Sequence, residues 1–183
     1  MTSPDRARRR RFEQVALPHL DSAYSLARWL TRNDQDAEDV VQEAFVRALR
    51  FVDGFHGSEG RAWLLAIVRN TCFSWMEKNR PAHMQPFDDD TLEIPAQLAA
   101  GPEGSAERAA NARALHRAIA ALPLGLREAL VLRELEELSY REIARIAEVP
   151  IGTVMSRLSR ARALLASFLA RGARLAPGEG NRK

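Results

Sequence analysis

The sequence predicts an all-α fold made of two small helical domains joined by a flexible acidic linker. Apolar residues recur at the three- and four-residue spacing of buried helix faces in two long blocks. No stretch shows the strict alternation of a half-buried strand. Between the blocks, residues 81–104 hold Pro81, Pro86, Pro95, Gly101, Pro102 and Gly104, the acidic run 88–90, and no basic residue, the composition of a linker. With 183 residues, the chain is long enough for one ordinary domain or two small ones with modest cores. The expected division is 1–80, the linker 81–104, 105–171, and a tail 172–183.

In the first block, Val15, Tyr24, Leu26, Ala27 and Leu30 suggest one or two helices between about Phe12 and Thr31, with Pro18 tolerated in a first turn. The next helix is clearer, because Ala37, Val40, Val41, Ala44, Phe45, Ala48 and Leu49 line one face; Asp36 is its expected N-cap. The turn-rich FHGSEG then leads to a third helix with the stripe Trp63, Leu64, Ile67, Val68, Cys72 and Met76. Arg61, Arg69, Asn70, Phe73 and Ser74 are left near or beyond its edge. In the second block, helices are expected at about Ser105 to Ala121, Leu124 to Glu136 and Ser139 to Ala147.

The last helix follows the turn EVPIG. Tyr140, Ile143, Ala144 and Ala147 before this turn, and Val154, Leu158, Ala161, Leu165 and Phe168 after it, have the layout of a helix-turn-helix. At 100° per residue, the side opposite the second stripe holds Met155, Ser156, Ser159, Arg160 and Arg162, whereas Arg157 lies beside the buried edge. Ser156, Ser159 and Arg160 are therefore candidates for reading base edges. Thr153 is the expected N-cap, Arg162 a phosphate contact, and Tyr140 with Arg141 backbone contacts. A solvated basic face is the competing reading, and the motif alone leaves DNA binding undecided.

The net charge of +3 hides an uneven distribution. Residues 1–80 carry 13 basic and 11 acidic side chains, 81–104 none and 5, and 105–183 14 and 8. The basic C-terminal part suits a polyanion. The single cysteine, Cys72, excludes a disulfide framework and a cysteine zinc site, and implies a reduced, cytoplasmic chain with Cys72 in the core. No apolar run approaches the roughly 20 residues that cross a bilayer. The string Arg9, Arg10, Arg11, Phe12 is similar to a twin-arginine export signal, but Glu13, His19 and Asp21 interrupt the stretch where the apolar core would lie. It is expected to be a solvated arm. The scattered histidines and the lack of a nucleophile, metal or phosphate-loop pattern give no catalytic residue, cofactor or metal ligand.

Four segments in order, DAEDVVQEAFVRALR at 36–50, GRAWLLAIVRNTCFSW at 60–75, LPLGLREALVLRELEELSYREIA at 122–144 and VPIGTVMSRLSRAR at 149–162, resemble the regions of extracytoplasmic-function (ECF) sigma factors. These are sigma-70 family subunits that direct RNA polymerase to promoters. The resemblance implies that the first block is sigma region 2, which binds the minus-10 element, and the second is region 4, which binds the minus-35 element, with Tyr140, Arg141, Thr153, Met155, Ser156, Arg157, Ser159, Arg160 and Arg162 as its candidate contacts. Core polymerase would supply all the chemistry, so the chain itself would be no enzyme.

By the same resemblance, Asp39, Gln42 and Glu43 match the surface that docks on the beta-prime coiled coil, with the beta flap as the partner of region 4. Asp36, Glu38 and Asp39 also suit a helix start through its dipole, whereas Gln42 and Glu43 lie past the first turn. Asn70 matches the pocket for a flipped base of the melted minus-10 strand, with the GSEGRAW loop as part of its wall. Arg61 and Arg69 are candidate backbone contacts, Phe73 either stacks on a base or belongs to the core, and Trp63 is expected in the core. Met155, where many relatives carry lysine or arginine, and Glu77 depart from the pattern, so promoter preference does not transfer. The implied protein is monomeric when free, not inserted in a membrane, and held by an anti-sigma factor until a stress signal arrives. A decoy that sequesters the anti-sigma factor, and an independent helix-turn-helix regulator, are the alternatives.

Overall fold

Apolar residues at helical spacing bury one face of each element, and the sequence of caps and breakers sets where each element stops. The computed structural model describes residues 3–79 and 105–175, and side chains within 5–79 and 111–170. The expected linker and most of the tail lie outside these residues. No strand occurs among the described residues.

In the first block, α1 (Ser3–Val15) is followed by a 3₁₀ turn (Leu17–His19), α2 (Leu20–Thr31), α3 (Asp34–Phe51), a second 3₁₀ turn (Val52–Gly54) and α4 (Gly60–Asn79). The arginine-rich start is therefore not a free arm. It is helical and docked, because Phe12 meets the ring of Phe45 edge-on at 5.8 Å and Arg8 reaches Asp53 at 2.5 Å. The guanidinium of Arg11 also donates to the Phe55 carbonyl. Helix α2 ends on Arg32 in the left-handed region, φ 61°, whose N–H donates to the Arg28 carbonyl. The N-cap of α3 is Asn33 rather than Asp36, because the Asn33 side chain accepts the Asp36 N–H at 3.1 Å. Asp36 then sits in the first turn, where its charge still favours the dipole.

Helices α2, α3 and α4 meet over Ala23, Leu26, Ala27, Leu30, Ala37, Val40, Ala44, Leu64, Leu65, Val68 and Cys72, all buried. Several expected core positions are less covered than their spacing implies, Phe45, Ile67 and Met76 being half-buried. Leu49 is exposed at 38%, because it falls at the margin of the α3 stripe. Trp63 is only half-buried and lies tilted against Phe55, ring centroids 5.0 Å apart.

In the second block, α5 (Ser105–Ala120), α6 (Leu124–Leu130), a π-helical turn (Val131–Leu135), α7 (Tyr140–Ala147) and α8 (Ile151–Leu175) follow in order. The buried Arg127 closes the end of α5 by donating from Nη1 to the carbonyls of Ala120 and Leu122, at 2.9 and 2.8 Å. Burial, and then the neighbouring charge of Arg32, pushes its pKa down to about 10. The two blocks do not stand apart. Their buried residues form one contiguous apolar cluster, in which α2 and α4 of the first block face α6 and α7 of the second.

Candidate nucleic-acid and polymerase interfaces

The helix-turn-helix is set by local chemistry. Ser139 caps α7 in a reciprocal box, its hydroxyl accepting the Glu142 N–H at 3.3 Å while the Glu142 carboxylate accepts the Ser139 N–H at 2.7 Å. These bonds hold the Glu142 carboxyl below its ordinary range. Helix α7 ends on Glu148 in the left-handed conformation, φ 55°, and Val149 N–H returns to the Ala144 carbonyl. The chain then turns through Pro150, whose carbonyl accepts the N–H groups of Thr153 and Val154 at 2.9 and 3.2 Å. Thr153 is therefore inside the first turn of α8 and is not its N-cap. A hydroxyl is the usual cap, but here the proline carbonyl starts the helix three residues earlier than a Thr153 cap would.

Val154, Leu158, Ala161 and Phe168 are buried, and Leu165 is half-buried. Opposite them, Met155, Ser156, Ser159 and Arg160 are exposed. The Ser156 hydroxyl donates back to the Thr153 carbonyl at 3.0 Å. Arg157 is folded against its own block: its side chain is 18% exposed, Nη1 lies 3.7 Å from Glu128 Oε2, and the guanidinium covers Gly125. Arg162 pairs with Glu134 at 2.7 Å, which, with a hydrogen bond to Tyr140, raises its pKa. Arg141 is exposed, and Tyr140 is half-buried beneath the guanidinium of Arg133.

The candidate minus-10 residues on α4 meet a different environment. Arg61 Nη2 binds the Glu136 carboxylate at 2.7 Å and also donates to the Glu136 backbone carbonyl. Arg69 donates from Nε to Glu128 at 2.8 Å, from Nη1 to the Asn70 side-chain oxygen at 3.1 Å, and from Nη2 to the Ala147 carbonyl at 3.3 Å. Its guanidinium also covers the ring of Phe73, 4.0 Å from the centroid. Phe73 and Ser74 are half-buried and Asn70 is exposed.

The sequence reading of Arg61 and Arg69 as outward-facing contacts thus does not describe this conformation, because acids of the second block hold both. Glu128 and Glu136, 1% and 5% exposed at the side chain, went unnoticed in the sequence. Burial pushes the Glu128 carboxyl up, against the pull of Arg69 and Arg157. A signal did exist: Glu128 lies midway between Leu124 and Leu132, where an acid on an apolar face demands a distant basic partner.

On α3, Asp39, Gln42 and Glu43 are all exposed. The Glu43 carboxylate accepts from Arg47 at 2.8 Å, which lowers its pKa. Val46 and Phe51 are exposed at 46% and 63% on the same helix, so acidic and apolar groups share α3.

The two helical blocks have known counterparts. Residues 16–81 match the model of sigma-70 region 2, and residues 112–165 match sigma-70 region 4. The chain is 34% identical over 167 residues to the RNA polymerase sigma-H factor of Pseudomonas aeruginosa, covering 86% of this chain and 85% of that one. It belongs to the sigma-70 family. More narrowly, it falls with the ECF sigma factors. It is 38% identical over 134 residues to the ECF sigma-E factor of Escherichia coli, across 69% of this chain and 70% of the relative. It is also 32% identical over 167 residues to SigE of Mycolicibacterium smegmatis, where the match covers 91% of this chain and 65% of that longer protein.

Among solved structures, the sigma factor RpoE of Bartonella quintana, in complex with the anti-sigma factor NepR, superposes with a TM-score of 0.65 at 29% identity over 87% of this chain and 96% of that one. CnrH in complex with the cytosolic domain of CnrY gives 0.58 at 27% identity, over 87% and 88%. In this ECF chain the region 2 match begins at Ala16, so α1 lies outside it. Region 4 takes in the second half of α5 and continues into α8, including every exposed α8 residue described above. Among the described residues, no helix is long and apolar enough to cross a membrane.

Proposed function

We propose that this ECF sigma factor is a promoter-specificity subunit of RNA polymerase. In this reading α8 reads the minus-35 element, α4 engages the melted minus-10 strand, and the acids of α3 dock on the beta-prime coiled coil of the core enzyme. The observation that carries it is the α8 surface. A buried stripe of Val154, Leu158 and Ala161 fixes the helix in its block, and Met155, Ser156, Ser159 and Arg160 are left exposed on the far side. That is the geometry of a recognition helix placed in a major groove.

Met155, 55% exposed, offers an apolar contact of the kind that meets a thymine methyl, and Arg160 a bidentate donor for guanine. Arg157 is a positioning group within region 4, because it is bound toward Glu128. The role asks no catalytic group of this chain; polymerase performs the nucleotidyl transfer. Its site of action is the cytoplasm, and an anti-sigma factor controls its release, a reading supported by the structure of RpoE in complex with the anti-sigma factor NepR.

Run-off transcription with core polymerase on a randomised promoter library tests this directly. Enrichment of a two-element promoter is expected. Tight core binding with no enrichment at any sequence refutes promoter recognition and favours a decoy.

A further inference from the structure

Helix α1 lies outside the region 2 match, which begins at Ala16, and the promoter-reading surfaces above make no use of it. Its residues divide into two sides. At 100° per residue, Arg8, Arg11, Phe12 and Val15 share one side of the helix, and Arg6, Arg9, Arg10 and Glu13 share the other. The first side is taken up by the fold. Arg8 pairs with Asp53 at 2.5 Å, Arg11 donates to the Phe55 carbonyl, and Phe12 meets Phe45 edge-on. Val15 packs so closely on the start of α4 that a Cβ at Gly60 would stand 3.0 Å from the Val15 carbonyl oxygen. These attachments fix α1 against the segment 53–60 that leads into α4.

The second side is left to solvent. Arg6, Arg9 and Arg10 are all exposed. Glu13 takes Arg9 at 3.0 Å in an exposed pair, a kind that contributes little, and the charge of Asp5 bears on Arg8. Arg6 and Arg10 have no ion pair among the described residues. Like charges four residues apart disfavour a helix, so folding alone gives no reason for this pair.

Resting on the promoter-recognition reading above, we propose that the outward side of α1 is a second DNA surface of the first block, on which Arg6 and Arg10, with Arg9 beside them, hold phosphates of the duplex next to the melted minus-10 strand.

The chemistry of this side fits phosphate. All three cations are arginines, whose planar fork matches phosphate oxygens. Arg6 and Arg10 stand about 6 Å apart along the helix axis, within reach of neighbouring phosphates on a strand that rises about 3.4 Å per nucleotide. Because α1 is already fixed, little freedom is lost when it binds. Its place is also suitable, since Arg10 and Arg6 lie only about 8 and 14 Å along the axis from Val15, which adjoins the helix that carries Asn70. An anionic membrane would ask for something else. A helix lying on a bilayer inserts an apolar face, whereas Phe12 and Val15 of α1 are on the docked side and the outward side has no apolar residue.

The test measures binding of holoenzyme, assembled from core polymerase and the full chain, to a promoter fragment enriched by the run-off selection, at several salt concentrations. Arg6→Gln with Arg10→Gln should lower the salt slope by about two units, so that doubling the salt narrows the gap from wild type about three- to four-fold. Base preference should not change, because phosphate contacts carry no sequence information. Arg6→Lys with Arg10→Lys should keep the slope, which a folding defect would not allow. Arg113→Gln with Arg117→Gln removes the same charge from exposed positions of α5 and should leave the slope within about half a unit of wild type.

A wild-type slope in Arg6→Gln with Arg10→Gln overturns the proposal. An equal loss in the α5 variant also overturns it, since net charge alone would then explain the effect. Binding of the free chain to phosphatidylserine vesicles that is lost in Arg6→Gln with Arg10→Gln, with DNA slopes unchanged, overturns it in favour of a membrane surface. If wild-type holoenzyme prefers no sequence, the promoter-recognition reading fails, and the same comparison of slopes on random duplex decides whether α1 holds phosphates.

Discussion

Removing the arginines of α8 one at a time should separate base reading from phosphate contact. Arg160 is exposed and has no ion pair among the described residues, whereas Arg162 is held by Glu134 at 2.7 Å with both side chains about half-exposed. A bidentate arginine–guanine contact discriminates by about 1–3 kcal/mol. Arg160→Ala should then weaken binding by roughly 5- to 150-fold at one base position and relax preference there. Arg162 must leave Glu134 before it can meet a phosphate. An exposed pair of this kind stabilises by roughly 0.2–1 kcal/mol, so Arg162→Ala should cost less and act on all sequences alike, lowering the salt slope by about one unit. Glu134→Gln should do the reverse, tightening binding uniformly by about 1.4- to 5-fold. The assay is fluorescence anisotropy of the full chain with upstream-element duplexes bearing single-base substitutions, at several salt concentrations. No loss for Arg160→Ala or Arg162→Ala on any duplex would refute DNA reading by this helix.

Three further outcomes follow from the same geometry. Ser139→Ala removes the hydroxyl of the α7 cap and should cost about 0.5–2 kcal/mol, read as a lower melting temperature; because hydrogen bonds to Ser139 hold the Glu142 carboxyl low, its contribution is present above its unfolded value and is lost as pH falls through the folded value, and the backbone part of it should persist in the variant, so both proteins should lose stability in acid melts. Cys72, whose thiol burial pushes up to about 12, should resist maleimide in the native chain and react once it is denatured; native labelling would show that the α2–α4 core opens. Asp39→Lys with Glu43→Lys should weaken core polymerase binding but leave duplex binding by α8 intact, and unchanged affinity in a pull-down would remove α3 from the docking surface.

Much of the fold was legible because helices carry their evidence locally. The α3 stripe of Ala37, Val40, Val41, Ala44 and Ala48 is buried as its spacing requires, and the α7 and α8 stripes define the helix-turn-helix. Chain-end details were less legible, since several groups compete for one helix start: Asn33 displaced Asp36, and the Pro150 carbonyl displaced Thr153. Leu65 and Ile146 were missed although both are buried. Each lies beside the main stripe of its helix, and burial there depends on a second neighbouring element that spacing does not reveal. The exposed α8 face was readable for the same reason that its stripe was. The environment of Arg61 and Arg69 was not, because their acidic partners lie 75 and 59 residues away and belong to the other block.

The choice of arginine at these two positions has a physical logic that neither partner supplies alone. Arg69 uses three nitrogens on three acceptors, Glu128, Asn70 and Ala147, and lays its plane over Phe73. A lysine ammonium could neutralise Glu128, but it has no planar face for the ring and no fixed fork for separated acceptors. The same fork would bind a phosphate while the same plane stacks beside an unpaired base. Groups suited to a melted strand are therefore also suited to a carboxylate on a neighbouring helix, and an exposed guanidinium face of this kind attracts whichever anion is nearest. In a chain whose two blocks are covalently joined, the nearest anions are its own, at an effective concentration set by the connecting segment. The ion pairs of Arg61 and Arg69 with Glu136 and Glu128 use the same features that would fit α4 for DNA.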